Sequence, residues 1–290
     1  MTAPALWRLS VGHEVRLAAG PPEEGPQQLL PEGLSLDGLL SRGGDALREA
    51  LSGPGDEPVP DGARVLCPLE GQEVWASGVT FERSRSARNE EAGPVDFYDR
   101  VYEAERPELF GKAAVGRSRG PEEPVAIRAD SGWDVPEPEL GVVADASGRI
   151  VAYTCGNDMS SRSIEAENPL YLPQAKVYTG SCSVGPCLLP VADAAPVAEL
   201  EIRLVIERDG AQFYADQVSV STMHRELDEL VDWLFRGQDF PVGVVLLTGT
   251  SIVPPLEFTL AQGDVVTVEI PGVGRLRNPV VVRDTSSRRR

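Results

Sequence analysis

The sequence predicts a mixed, β-rich fold with few helices, and three observations carry that expectation. AELEIRLVIERDG alternates Leu200, Ile202, Leu204 and Ile206 against polar neighbours, and DVVTVEI repeats the pattern with Val266, Val268 and Ile270. A period of two is what half-buried strands require. Only TMHRELDELVDWLF reads as a clear amphipathic helix, with Met223, Leu227, Leu230, Val231 and Leu234 as its apolar stripe and Ser221 or Thr222 as its cap. Strands do not alternate with helices along the chain, which argues against a doubly wound parallel sheet or a barrel of repeated units.

The chain in order supports one large unit with a small appendage. Its 290 residues can bury a substantial core. WRLSVGHEVRLAAG alternates loosely and predicts a hairpin; Leu34 to Leu51 has helical spacing broken at Gly43 and Gly44. The Gly-, Pro- and Asp-rich stretch from Ser52 to Gly62 is the expected boundary, leaving a small, loosely built N-terminal region at 1–62 and a catalytic domain at 63–290. ARVLCPL and QEVWASGVTF read as strands, with Gly78 where backbone can approach a ligand. ERSRSARNEE is a densely charged segment, either a short helix or a solvated turn. FYDRVYEAERPELFGKA predicts a helix stopped near Arg106 by Pro107, with Phe110 and Lys112 opening a return loop. PVAIRADSGWDVPEPEL is extended, and SSRRR is a frayed tail.

Charge and cysteine usage narrow the function classes. A formal net charge of -18 disfavours nucleic acid as a partner. It also repels a metabolite acid unless a cation or basic side chain reverses the field locally. Cys67, Cys155, Cys182 and Cys187 form no CxxC pair, and only His13 and His224 exist, so zinc is not expected. There is no signal peptide and no apolar run near membrane-spanning length, so a reducing cytoplasm is the expected location and no membrane partner is expected. The scarcity of histidine argues against Ser-His-Asp or Cys-His hydrolysis. The absence of G-x-G-x-x-G and G-K-[ST] gives nucleotide cofactors little support.

The informative stretch runs from Glu137 to Pro186. Glu137 and Glu139 stand two apart at an expected strand start, so both side chains point to one side. Asp158 follows the apolar strand IVAYT within the turn-like GND. Three carboxylates are hard oxygen ligands suited to Mg²⁺, Mn²⁺ or Ca²⁺. The plainer alternative is that EPEL is a proline-bounded surface turn and that Asp158 caps the next one. Lys176, in LPQAKVYTG, is either a partly desolvated base or carboxylate partner, or a snorkelling surface lysine. Arg162 either clamps a carboxylate or pairs with Glu165 on the surface. LLTGTSIVPP supplies Thr248, Gly249, Thr250 and Ser251, whose hydroxyl and N–H groups can hold a carboxylate or keto oxygen.

EPEL, GNDMSSRSIEAENP, LPQAKVYTGSCSVGP and LLTGTSIVPP, in that order, resemble the fumarylacetoacetate hydrolase superfamily over roughly residues 63–283. The resemblance implies a mixed β-sandwich roll that dimerises, as a homodimer or homotetramer. It implies a metal site at Glu137, Glu139 and Asp158, a family lysine at Lys176, an arginine at Arg162, and substrate contact at Thr250 beside Gly249 and Ser251. Hydrolytic members carry a histidine and glutamate on a short lid helix. The matching ERSRSARNEE has glutamates but no histidine. ENPLYLPQAKVY and ASGVTF instead resemble the 2-keto-3-deoxy-D-arabinonate dehydratase branch. The activity so implied is Mg²⁺-dependent dehydration of a small anionic 2-oxo acid, with Lys176, Glu90 or Glu91 as base; acylpyruvate-type hydrolysis and 2-oxoacid decarboxylation are the alternatives within the superfamily. A non-catalytic ligand-binding β-rich protein is the alternative of another class. Ser163 stands where many relatives carry aspartate, a change expected to loosen Arg162.

Overall fold

The computed structural model describes residues 3–53, 55, 57–86 and 97–283. The chain opens with the strands β1 (Ala5–Val11), β2 (Glu14–Gly20) and β3 (Gln28–Leu29), then the helices α1 (Leu36–Arg42) and α2 (Ala46–Ser52), parted at Gly43 and Gly44 as their spacing predicted. The strands β4 (Glu57–Pro58), β5 (Arg64–Val65) and β6 (Glu73–Gly78) follow, then a helical turn at 82–86 and helix α3 (Phe97–Glu103). β7 (Glu108–Ala113), β8 (Val125–Arg128), β9 (Asp134–Val135), β10 (Pro138–Ala144), β11 (Ile150–Asp158) and β12 (Ser160–Ser161) lead to the short helices α4 (Arg162–Glu167) and α5 (Leu172–Lys176). The remainder is β13 (Cys182–Pro190), β14 (Glu201–Arg208), β15 (Ala211–Ser219), helix α6 (Leu227–Phe235), β16 (Val244–Leu247), β17 (Val265–Ile270) and β18 (Gly274–Arg283).

Among the described residues an eleven-stranded mixed sheet runs in the order β4-β3-β2-β1-β13-β11-β10-β16-β6-β7, with β5 paired to β1. A five-stranded sheet, β15-β14-β17-β18-β8, provides the second layer. The alternating residues of β14 and β17 bury Leu204, Ile206, Val266 and Val268 against Leu140, Val142, Tyr153 and Leu246 of the large sheet. This is the mixed β-rich architecture expected. On the other face of the large sheet, Leu36, Leu39, Leu40 and Leu47 of the N-terminal helices pack with Leu6, Val143 and Val245. Burying an aliphatic side chain of this size contributes about 1.5–3 kcal/mol.

Three local expectations need correction. The helix read from Thr222 begins only at Leu227, so neither Ser221 nor Thr222 caps it. Met223 pairs with Phe81 as an isolated bridge and the His224 N–H donates to Thr80 O, so tertiary pairing holds this stretch extended. Phe110 and Lys112 lie on strand β7, not in a return loop, because residues 108–113 find a ladder partner in β6. Asp158 is the last residue of β11 rather than part of a turn. No helix among the described residues is long and apolar enough to cross a membrane, and all four cysteines are free thiols.

Candidate active site

The centre of the site is where β10 begins beside the end of β11. Their antiparallel register opposes Pro138 to Asn157 and Glu139 to Gly156, and the Asp158 N–H donates to Glu137 O at 2.9 Å. Strand alternation then turns Glu137 and Glu139 the same way, toward the carboxylate of Asp158. One carboxylate oxygen from each lies within 4.8 Å of the others, and all three residues are buried. β16 joins through Thr248, whose N–H and hydroxyl both donate to Leu140 O, at 3.1 and 2.9 Å. The next residue, Gly249, has φ +89°, and a Cβ there would stand 2.1 Å from Thr80 Oγ1. Only glycine fits that position, and the resulting turn aims its N–H at Glu139 Oε2, 2.6 Å away.

Two lysines pair with the cluster. Lys176, at the end of α5, donates to Glu137 Oε2 at 2.7 Å and Asp158 Oδ2 at 3.2 Å. Lys112, reaching in from β7, pairs with Asp158 Oδ1, donates to Met159 O at 3.0 Å and bonds Lys176 O. Lys112 went unread in the sequence. Its signal was the alternation in ELFGKA, which sets Glu108, Phe110 and Lys112 on one side of a strand. Arg162 meets Glu137 Oε1 at 3.2 Å and Glu165 Oε2 at 3.7 Å, both partners buried. These carboxylates orient it, whereas Ser163 turns away to Ser131 Oγ at 3.0 Å. The pairing with Glu165 exists, but it is internal rather than on the surface. Ser160 Oγ completes the shell by donating to Glu137 Oε1 at 2.8 Å.

The donor set fits a divalent ion. Glu137, Glu139, Asp158 and Glu165 face Lys112, Lys176 and Arg162, four acidic groups against three basic ones, all buried. Burial first, then the Asp158 and Glu137 charges, hold the Glu139 carboxyl well above the usual carboxylate range, against the opposing pull of Lys176 and the Gly249 N–H. Three carboxylates this close and this dry do not all ionise without a cation, and hard oxygen donors suit Mg²⁺ or a similar ion. The Lys176 ammonium, lying between Glu137 and Asp158, already marks a position where positive charge is favoured.

The cluster floors a narrow cleft lined also by Ser77, Gly78, Ser84, Tyr98, Glu108 and Phe110, with Glu165, Leu172, Gly249 and Thr250. Glu108 is opposite Gly78 in the β6–β7 ladder, and a Cβ on Gly78 would come within 2.1 Å of Glu108 Oε2. The glycine singled out in the sequence lines the cleft and leaves room there for the Glu108 carboxylate. Thr250 lines the cleft, and its Oγ1 accepts from the Ile252 N–H at 3.1 Å. Ser251 is buried and is not among the lining residues. Glu90 and Glu91 lie outside the described residues. No histidine lines the cleft among the described residues.

Comparison with known proteins gives a consistent set of relatives. The profile described as "Fumarylacetoacetate (FAA) hydrolase C-terminal" matches residues 104–281. A probable 2-keto-3-deoxyxylonate dehydratase of Haloferax volcanii is 51% identical over 213 residues, covering 73% of each chain. The 2-dehydro-3-deoxy-D-arabinonate dehydratase of Saccharolobus solfataricus is 41% identical over 225 residues, covering 76% of this chain and 75% of its own. A solved 2-keto-3-deoxy-D-arabinonate dehydratase, complexed with magnesium and 2,5-dioxopentanoate, superposes with a TM-score of 0.83 at 33% identity, over 97% of this chain and 99% of that one.

Proposed function

The chain belongs to the fumarylacetoacetate hydrolase family, and from that premise we propose that it dehydrates a 2-keto-3-deoxy sugar acid of pentonate size to a 2-oxo acid semialdehyde. The observation that carries this reading is the buried cluster of Glu137, Glu139 and Asp158, flanked by two lysines and opening on a cleft that also holds Glu108. Relatives at 51% and 41% identity that bear dehydratase names support the substrate class.

Glu137, Glu139 and Asp158 would hold the divalent ion, Mg²⁺ in the first instance and Mn²⁺ or Ca²⁺ by the same donor chemistry. Bound there, such an ion supplies Lewis-acid stabilisation to the negative charge that develops on a 2-keto oxygen when the neighbouring carbon loses a proton. The protein's own groups supply the rest. Arg162, already a carboxylate binder in this structure, and Thr250 are assigned to the substrate's acid end, with the Gly249 turn fixing Glu139 behind them. Ser251, the residue after Thr250, is buried. Lys176, once neutral, takes the C3 proton, and proximity to the bound acid gives it that task over bulk water. Glu108, in its acid form, protonates the departing C4 hydroxyl, which leaves as water. The resulting C3=C4 enone passes a C5 proton back to C3 and relaxes, through the enol, to the semialdehyde. Glu90 and Glu91 remain the proposed alternatives to Lys176 as the base that takes the C3 proton.

The lining residues run from Ser77 to Thr250, which supports residues 63–290 as the catalytic unit and 1–62 as an appended region. A cytoplasmic location fits four free thiols, three of them buried. A homodimer or homotetramer is supported by the family resemblance and by Val281 and Val282, exposed together on β18; light scattering in solution would read its size. The test of function is a panel of 2-keto-3-deoxy acids and diketo acids with added Mg²⁺. Semialdehyde formation from the pentonates, lost together with ion binding in Glu139→Ala, is the expected result. Cleavage of diketo acids without dehydration would overturn the assignment.

A further inference from the structure

Two arginines meet on one indole at a second cavity. The Arg106 and Arg236 guanidinium carbons lie 4.5 Å and 3.6 Å from the centroid of the Trp233 ring. They line an open cavity of ≈ 500 Å³ together with Trp75, Leu109 and Gln238, a volume within the range of small-molecule sites. Neither arginine forms an ion pair with a carboxylate among the described residues, and no aspartate or glutamate lines the cavity. That is unusual on a chain carrying 45 acidic residues against 27 basic ones. Two other cavities have two arginines each, Arg8 and Arg119 in one and Arg64 and Arg275 in the other, and both are also lined by glutamates, among them Glu70 and Glu123 in the first and Glu23 and Glu122 in the second.

Stacking uses the face of a guanidinium and leaves its in-plane N–H fork available. Two like charges held beside one ring repel each other, and an anion between them relieves that repulsion. Trp75 and Leu109 offer an apolar wall for the ligand's body. We propose that this cavity is a binding site for a small organic dianion with a flat or apolar body, each acidic group engaging one of Arg106 and Arg236. The site is separate from the catalytic cleft but shares a strand with it. On β7, Glu108 and Phe110 line the cleft while Leu109, with Pro107 just before the strand, lines this cavity, so the two sites stand back to back.

The test is calorimetric titration of the full chain, in chelator, with benzene-1,3-dicarboxylate, using the uncharged diamide as control. The expected result is saturable binding of one dicarboxylate per chain and none of the diamide. Arg106→Gln and Arg236→Gln should each weaken it at least about tenfold, and Gln238→Glu, which sets a carboxylate in the lining, should weaken it as well. Lys176→Met should leave it unchanged. No saturable binding up to about 10 mM, wild-type binding in the arginine variants, or loss in Lys176→Met, which would place the anion in the cleft, would each overturn the proposal.

Discussion

Replacing Lys112 with methionine tests whether the buried charge cluster is held together as described. The two side chains are similar in length and volume, so the change removes charge and donors while leaving the space filled. It deprives Asp158 Oδ1 of its ion pair and takes a donor from Met159 O and Lys176 O. Lys112 and Asp158 are both almost fully buried, at 1% relative exposure each, so water cannot replace the lost partner. Removing one member of a buried pair costs about 3–5 kcal/mol, and the orphaned carbonyls act in the same direction. At roughly 2–4 °C per kcal/mol for a chain of this size, the melting midpoint of the metal-free protein should fall by about 10 °C. Circular dichroism with and without Mg²⁺ measures it. The ion should recover part of the loss, since it brings positive charge to the same carboxylate. A variant that melts within about 2 °C of wild type would refute the placement of Lys112 in the cluster.

Three further outcomes follow from the same geometry. Lys176→Met should retain calorimetric ion binding while turnover falls by about 10²-fold or more, the usual scale of a lost acid–base group; an unchanged rate would remove this lysine from the proton transfer. The Glu139 carboxyl is held above its unfolded range, so the folded metal-free protein binds the extra proton. Metal-free stability should accordingly fall as pH rises from the unfolded value of about 4.5 toward the raised folded one. Added Mg²⁺ should abolish that fall and release protons to the buffer. Protein whose metal-free stability rises across that window would contradict it. Gly78→Ala places a methyl against Glu108 Oε2 and should lower kcat while leaving ion affinity intact; equal loss of both would mean that the whole cleft has shifted.

What was legible in the sequence followed from short-range rules. Two-residue spacing placed Glu137 and Glu139 on one side, and period-two runs gave β14 and β17. What stayed hidden depended on strands meeting across long sequence separations. Nothing local in GND says that Asp158 ends a strand paired to Glu137, because the pairing belongs to the β10–β11 register. Lys112 acquires its role only when β7 finds β6, which brings it to a carboxylate 46 residues away. The late start of α6 has the same origin: a ladder contact at Phe81 outcompetes local helical spacing. For Arg162 the sequence left a carboxylate clamp and a surface pair with Glu165 both open, and only the fold shows it enclosed by Glu137 and Glu165.

The joint between β10 and β11 has a consequence of its own. Glu137 immediately precedes β10 and Asp158 ends β11 at the same end of the ladder, with the Asp158 amide already hydrogen-bonded to the Glu137 carbonyl. An ion gripped by both carboxylates is a staple across a hairpin's open end, where paired strands ordinarily fray. Amide hydrogen exchange at Asn157, Asp158 and Met159 should therefore slow when Mg²⁺ is added, more than in the distant β14–β15 hairpin. Cofactor loading would then be visible as a local stiffening of the sheet, independent of any substrate and before any chemistry takes place.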